Sequence, residues 1–257
     1  MAALSTDRLI AQPQSEPTEA VAFPPGDLYS DEPPLETHLH LQQLLLLLKC
    51  IDWLWQDRHD YFATGNLTIY YSPHQRKSED FREKHSEPFS VSVQEEAVQS
   101  IFGPDFFVVL GTEKRPRKSW VVWEEEGKYP HVIVELLSDS TTKTDRGLKK
   151  QIYQDTFRTP DYFWFDPDSQ EFQGFHLVDG AYQALKPNDQ GWLWSQQMQL
   201  WLGVRDRQLR FFTPEGDLVP TPEEAATTAA QSLATEQQRV SQLAAKLQEL
   251  GINPDEI

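Results

Sequence analysis

Two short apolar runs constrain the fold of this chain more than any other feature. Asp105 to Leu110 (DFFVVL) and Val132 to Leu137 (VIVELL) are hydrophobic almost without interruption. Runs this short, rich in β-branched and aromatic residues, fit strands covered on both faces. Strands of that kind need a layer of helices on each side. The expected architecture is therefore a single α/β domain around a central mixed β-sheet. An N-terminal helix would cover one face, and a helix beginning near Asp145 the other.

The rest of the chain can be placed around those runs. Residues 1–34 are rich in Pro, Ser, Glu and Ala without apolar periodicity, and read as a flexible tail. A helix follows over about Leu35 to Gln56, its apolar residues at helical spacing. Asn66 to Ser72 is a strand closed by Pro73. Residues 74–104 are charged and irregular, with a short helix possible over Val93 to Phe102. Thr144 is placed as the N-cap of a helix running to about Phe157, with Asp145 in its first turn. Tyr162 to Phe165, Glu171 to Leu177, Ala181 to Leu185 and Leu209 to Phe212 are further strands, separated by turn residues. From Pro222 the pattern is helical again. Leu233, Val240, Leu243, Leu247 and Leu250 occupy a/d heptad positions, Glu236 breaks the seam, and Gly251 ends it. Either a short coiled coil or a helix docked on the domain satisfies that pattern.

Composition narrows the function. With 39% hydrophobic and 12% aromatic residues, among them eight Trp, a chain of 257 residues can bury a core. The single cysteine, Cys50, rules out an internal disulfide framework and fits a reducing cytosol. The opening MAALSTDRLIAQ lacks a basic stretch followed by an apolar one, and the longest aliphatic run, Leu44 to Leu48, is far too short to span a bilayer. The expected setting is cytoplasmic, with no membrane partner. A net charge of -17 disfavours a protein that coats nucleic acid, because phosphate binding relies on basic surface. It does not disfavour an enzyme, which needs only a local positive lining and a cation.

The residue that calls for chemistry is Glu135. It sits between Val134 and Leu136 in a run with no other polar side chain, and a carboxylate buried there must be protonated, paired or bound to a cation. Asp105 opens the other apolar run, directly after Gly103-Pro104. Two buried strands carrying one carboxylate each can present both on one edge of a sheet, and oxygen ligands of this kind suit Mg²⁺ or Mn²⁺. Asp145, Lys149 and Tyr153 follow at i, i+4 and i+8, near one face of the next helix. A lysine there can orient or deprotonate a water and stabilise charge on phosphoryl oxygens. Each residue alone has a plainer explanation, as a turn, an ion pair, a solvated helix face or a core tyrosine. The set together does not.

The stretch from Gly103-Pro104-Asp105 through VIVELLSDSTTKTDRGLKKQIYQ to TPDYFWFDP resembles the putative restriction endonuclease family common in cyanobacteria, a branch of the PD-(D/E)xK nuclease superfamily. The likeness extends over about residues 35–220. It implies a restriction-endonuclease-like core and a Mg²⁺- or Mn²⁺-dependent endonuclease cutting DNA. Asp105, Glu135 and Lys149 would be catalytic, with the metal on Asp105, Glu135 and the Leu136 backbone carbonyl. Asp145, Lys150 and Tyr153 would support them. In the superfamily the lysine usually stands two residues after the glutamate, where this chain has Leu137. Lys149 takes its place, with Lys150 in reserve. The first helix often adds an acidic or His ligand, for which Glu36, His38 and His40 are candidates, Glu36 before His40. Residues 83–102 stand out as an extra segment between Arg82 and Gly103, which would restrict or block substrate access if it packed over the cleft.

Lys114, Arg115, Arg117 and Lys118 form a basic loop after the first apolar strand, and with Lys143, Arg146 and Lys150 are candidates to grip phosphates. No Cys/His spacing for zinc, no phosphate-cradling Gly-rich loop and no nucleophile elbow is present. A second expectation belongs to a different class: a catalytically inactive nuclease-fold protein serving as an interaction or assembly module, forming a homodimer through a sheet edge or the C-terminal helix.

Overall fold

The computed structural model describes residues 25–72, 75, 103–138 and 145–250, the side chains of Asp145 and Arg146 excepted. The elements expected at Val93 to Phe102, the N-cap at Thr144, Lys143 and the extra segment 83–102 lie outside the described residues.

The strands are β1 (Tyr61–Thr64), β2 (Ile69–Tyr70), β3 (Phe106–Leu110), β4 (Trp120–Val121), β5 (Val132–Leu136), β6 (Asp161–Phe165), β7 (Phe172–Val178), β8 (Ala181–Ala184), β9 (Leu193–Ser195), β10 (Leu200–Arg205) and β11 (Gln208–Phe212). The helices are α1 (His38–Leu54), α2 (Lys150–Asp155), entered through a π-helical turn at Asp145–Lys149, and α3 (Pro222–Glu249). The main sheet has the order β1-β3-β5-β6-β7-β8. It is mixed, with β5 and β6 parallel and every other neighbouring pair antiparallel.

The two apolar runs become β3 and β5 in the middle of that sheet, and their alternation feeds two cores. Phe106, Val108, Val132, Val134 and Leu136 face α1 with Leu44, Leu47 and Ile51. Phe107, Val109, Ile133 and Leu137 face α2 with Ile152 and Tyr153. α1 is itself covered by a second sheet, β11-β10-β9, whose Leu193, Leu202, Leu209 and Phe211 join the first core. Gln43 fixes that contact by acting as a strand partner. Its amide donates to the Leu209 carbonyl at 2.9 Å and its oxygen accepts from the Leu209 N–H at 3.0 Å. Asp161, fully buried at the start of β6, ties the two sheets further by accepting from Ser195 Oγ at 2.6 Å and Gln197 N at 2.9 Å, with His176 Nδ1 2.7 Å from its other oxygen.

Three expectations change. α1 starts at His38 because Thr37 is its N-cap, accepting from His40 N, so Leu35 and Glu36 precede the helix. The strand foreseen over residues 66–72 contracts to β2, which pairs in parallel with β4. The segment read as tail up to residue 34 is bound to the domain from residue 28 on. Ser119 Oγ donates to the Leu28 carbonyl, Tyr70 OH to that of Tyr29, and Ser30 N–H to that of Lys118. These partners are distant in sequence, which is why local composition resembles a tail.

Candidate active site

β3 and β5 are antiparallel with Phe106 opposite Val134. Continuing that register by one residue sets Asp105 opposite Glu135, on the face that packs against α2. Each carboxylate then takes a backbone amide from the other's strand. Leu136 N–H donates to Asp105 Oδ2 at 2.8 Å, and Asp105 N–H approaches Glu135 Oε2 at 3.4 Å. The pair is thus built into the sheet and does not depend on flexible side chains.

The helix on that face completes the cluster. Lys149 closes the π-helical turn and Tyr153 lies one turn later, so both reach the same carboxylate. Lys149 Nζ is 3.2 Å from Glu135 Oε2, and Tyr153 OH donates to Oε1 at 2.6 Å. Glu135 is 0% exposed and the Lys149 side chain 18%. Burial pushes the Glu135 carboxyl up to about 7, and the neighbouring Asp105 adds to this, while the Lys149 charge and the Tyr153 hydroxyl oppose it. Among the described residues, Lys149 is the lysine that faces this pair of acids.

Above the pair is a cavity of about 100 Å³, lined among others by Glu32, Glu36, His40, Asp105, Leu136 and Lys149. Leu136, whose carbonyl was expected to face a metal, is in that lining. His40 spans to the end of β5. Its Nε2 is 3.1 Å from the Leu137 carbonyl, which only accepts, so Nε2 carries the hydrogen, and Nδ1 is 2.7 Å from Thr37 Oγ1. Glu36 is exposed at the rim, and His38, on the first turn of α1, is exposed and not part of the lining. Glu32 was not foreseen. It lies in the Pro- and Glu-rich segment before α1, where neither periodicity nor a strand context distinguishes one glutamate from another.

Two groups of candidates are positioned elsewhere. Lys150, the reserve lysine, turns away from the carboxylates and sets Nζ 3.4 Å from the Phe175 ring centroid. The basic loop leaves the far end of β3, about 17 Å along the strand from Asp105. Its charges are also taken up within the fold. Lys114 pairs with Asp52, Arg115 and Arg117 with Glu125, and Lys118 lies over the Tyr29 ring. Arg117, 2% exposed and stacked on Phe62 and Trp120, is a core cation and is not available to a phosphate. A loop's composition does not reveal at which end of a sheet it emerges.

A hard divalent cation fits the donors at Asp105 and Glu135. Among the described residues no group of three or more His, Cys, Asp or Glu is arranged to hold a metal. Two carboxylates and a carbonyl suit Mg²⁺, which keeps several waters and needs only one or two protein carboxylates. Among the described residues no helix is long and apolar enough to cross a membrane.

A comparison with curated proteins gives no match. Residues 88–210 match the family model Uma2, described as putative restriction endonuclease. That span includes Asp105, Glu135, Lys149 and Tyr153 and begins after Glu32 and His40, so the segment carrying the paired carboxylates is similar to that family.

Proposed function

We propose that the protein is a divalent-metal-dependent endonuclease that hydrolyses phosphodiester bonds in DNA. The observation that carries this reading is the pairing of Asp105 with the fully buried Glu135, within reach of Lys149. Asp105, Glu135 and the Leu136 carbonyl would hold Mg²⁺ or Mn²⁺. When bound, such an ion supplies a water of lowered pKa and offsets charge at the phosphoryl oxygens. Lys149 would orient or deprotonate the attacking water and approach a phosphoryl oxygen. Tyr153, bonded to Oε1 of Glu135, holds the carboxylate so that Oε2 stays toward Lys149 and Asp105. The strand-to-strand amide bonds fix both acids before substrate arrives, which lowers the reorganisation needed in the reaction. Nicking of supercoiled DNA is the test. Wild-type protein converts it in Mg²⁺ or Mn²⁺, and Glu135→Ala, folded by circular dichroism, does not. Intact DNA with both ions and the wild-type protein counts against the reading.

A second reading, a non-catalytic assembly module, has one observation in its favour. α3 has no buried residue over its 28 residues, and Leu233, Val240 and Leu243 stay exposed along it. Self-association through that stripe is compatible with either reading. Mn²⁺ titration separates them most cheaply, since a dead scaffold has no use for the carboxylate pair.

A further inference from the structure

Three segments distant in sequence meet at one carboxylate oxygen. Glu32 Oε1 accepts from Thr68 Oγ1 at 2.9 Å and from the Gly103 amide at 2.5 Å. Thr68, fully buried, in turn accepts from Asp31 N–H at 2.8 Å, and its own amide donates to Ser30 Oγ at 3.0 Å. The segment ahead of α1 is therefore anchored through Thr68, and it carries Glu32 to the backbone two residues before Asp105. No side chain fits at position 103, where a Cβ would overlap the Leu67 carbonyl. Pro104 then restricts the connection, since its ring fixes φ. Whatever holds the Gly103 amide sets the direction in which the chain delivers Asp105 to β3. Beyond it, Asp105 is tied by Asn66 N–H donating to its carbonyl at 3.1 Å and by the Leu136 amide on its carboxylate.

We propose that Glu32 is a positioning residue for the candidate site, clamping the Gly103 amide so that Asp105 meets Glu135 and the Leu136 amide in register. The inference rests on the reading of Asp105 and Glu135 as the cation-binding pair only for its functional consequence. The clamp itself is a property of the chain without metal. It also assigns a task to a segment upstream of the family match, residues 88–210. Glu32 lines the same cavity as Asp105 and Lys149, and its second oxygen has no hydrogen-bond donor among the described residues. Burial drives its carboxyl up to about 7, with the two hydrogen bonds and Lys149 opposing. An acid held there at such a desolvation cost needs a task, and holding one oxygen against two donors is one that a glutamine amide oxygen can also perform.

Amide hydrogen exchange on the full metal-free chain tests this, with Mn²⁺ titration as the second measurement. In Glu32→Ala, exchange at Gly103 and at Leu136 accelerates about tenfold or more, while Phe163 in β6 keeps its protection and reports an intact sheet. Glu32→Gln exchanges like wild type at both positions. Mn²⁺ affinity falls about tenfold or more in the alanine variant and stays within about threefold in the glutamine variant. Acceleration at Gly103 alone overturns the proposal, because Glu32 would then anchor its own segment without positioning Asp105. An equal loss of Mn²⁺ affinity in both variants overturns it in favour of direct ligation by the charge. If wild-type protein binds no Mn²⁺ but both amides respond as expected, the metal reading fails and the clamp stands.

Discussion

Tyr153 donates its hydroxyl to Oε1 of Glu135 at 2.6 Å, from a helix to a strand whose residue is 0% exposed. The bond makes Glu135 tolerable in a core otherwise built from Ile133, Leu137 and Ile152. Tyr153→Phe removes a donor and leaves a buried oxygen short of a partner, at a cost of about 1–3 kcal/mol. The hydroxyl lowers the Glu135 pKa, so its loss moves that pKa further up. Urea unfolding at fixed pH measures the first effect, and carbon-13 titration of the Glu135 carboxyl the second.

In the metal-free protein the Glu135 carboxyl withdraws stability as pH rises between about 4.5 and about 7. The Glu135 carboxyl goes from 4.5 to about 7 on folding, so the folded state holds its proton more tightly and is favoured below the unfolded value. The advantage disappears as pH passes the folded value, with a span of about 3 kcal/mol for this group. Glu32, raised to about 7, acts in the same direction. Thermal unfolding against pH shows this slope in the wild type, and Glu135→Gln flattens it. Divalent cations act oppositely, since they bind the ionised acid, and stabilise more as pH rises.

Arg117 belongs to the fold and not to a nucleic-acid interface. Its guanidinium bonds both oxygens of Glu125 and lies over Phe62 and Trp120. Arg117→Ala leaves Glu125 with Arg115 alone and costs about 3 kcal/mol. Chemical denaturation shows that loss, while DNA affinity per folded molecule is unchanged. A variant of normal stability that loses DNA binding contradicts this assignment.

The first turn of α3 is fastened to the domain, and among the described residues no hydrogen bond or ion pair fastens the rest. Thr221 and Glu224 form a capping box, Glu224 pairs with Arg210, and Glu223 pairs with Lys49. Deleting residues 226–257 therefore keeps these contacts and the unfolding midpoint. If the exposed stripe joins two copies, light scattering shows the mass falling from dimer to monomer on deletion, and an unchanged mass removes α3 from any assembly.

What the sequence revealed follows a physical division. Glu135 was legible because an acid inside an apolar strand violates the local pattern, and Asp105 because a run of identical character begins with it. Lys149 and Tyr153 were legible as a pair, through helical spacing, although the helix starts with a π-turn that spacing does not predict. Glu32 and the anchoring of residues 28–32 were not legible, because their partners at Thr68, Gly103, Lys118 and Ser119 are far along the chain and leave no local periodicity. β1, β4, β9 and β10 went unseen for a related reason, being short or interrupted by Gly and Trp, with pairing and not composition defining them. The placement of the basic loop was not legible, because charge pattern carries no information about which end of β3 it follows.

On the proposed function, Lys149 serves turnover and not cation binding. It lies against Glu135 without being a carboxylate donor, so Lys149→Met leaves Mn²⁺ affinity within about threefold and lowers DNA cleavage about 10²–10³-fold. Parallel calorimetry and single-turnover cleavage read the two effects, and equal losses in both contradict the assigned role.

The decisive property of the site is whether Asp105 and Glu135 hold a divalent cation together. Isothermal calorimetry with Mn²⁺ at pH 8, where the Glu135 carboxyl raised to about 7 is ionised, measures this. One saturable site in the wild type, lost in Glu135→Ala and in Asp105→Ala while both stay folded, is the predicted result. No binding heat in the wild type, or the same isotherm in the two variants, contradicts it.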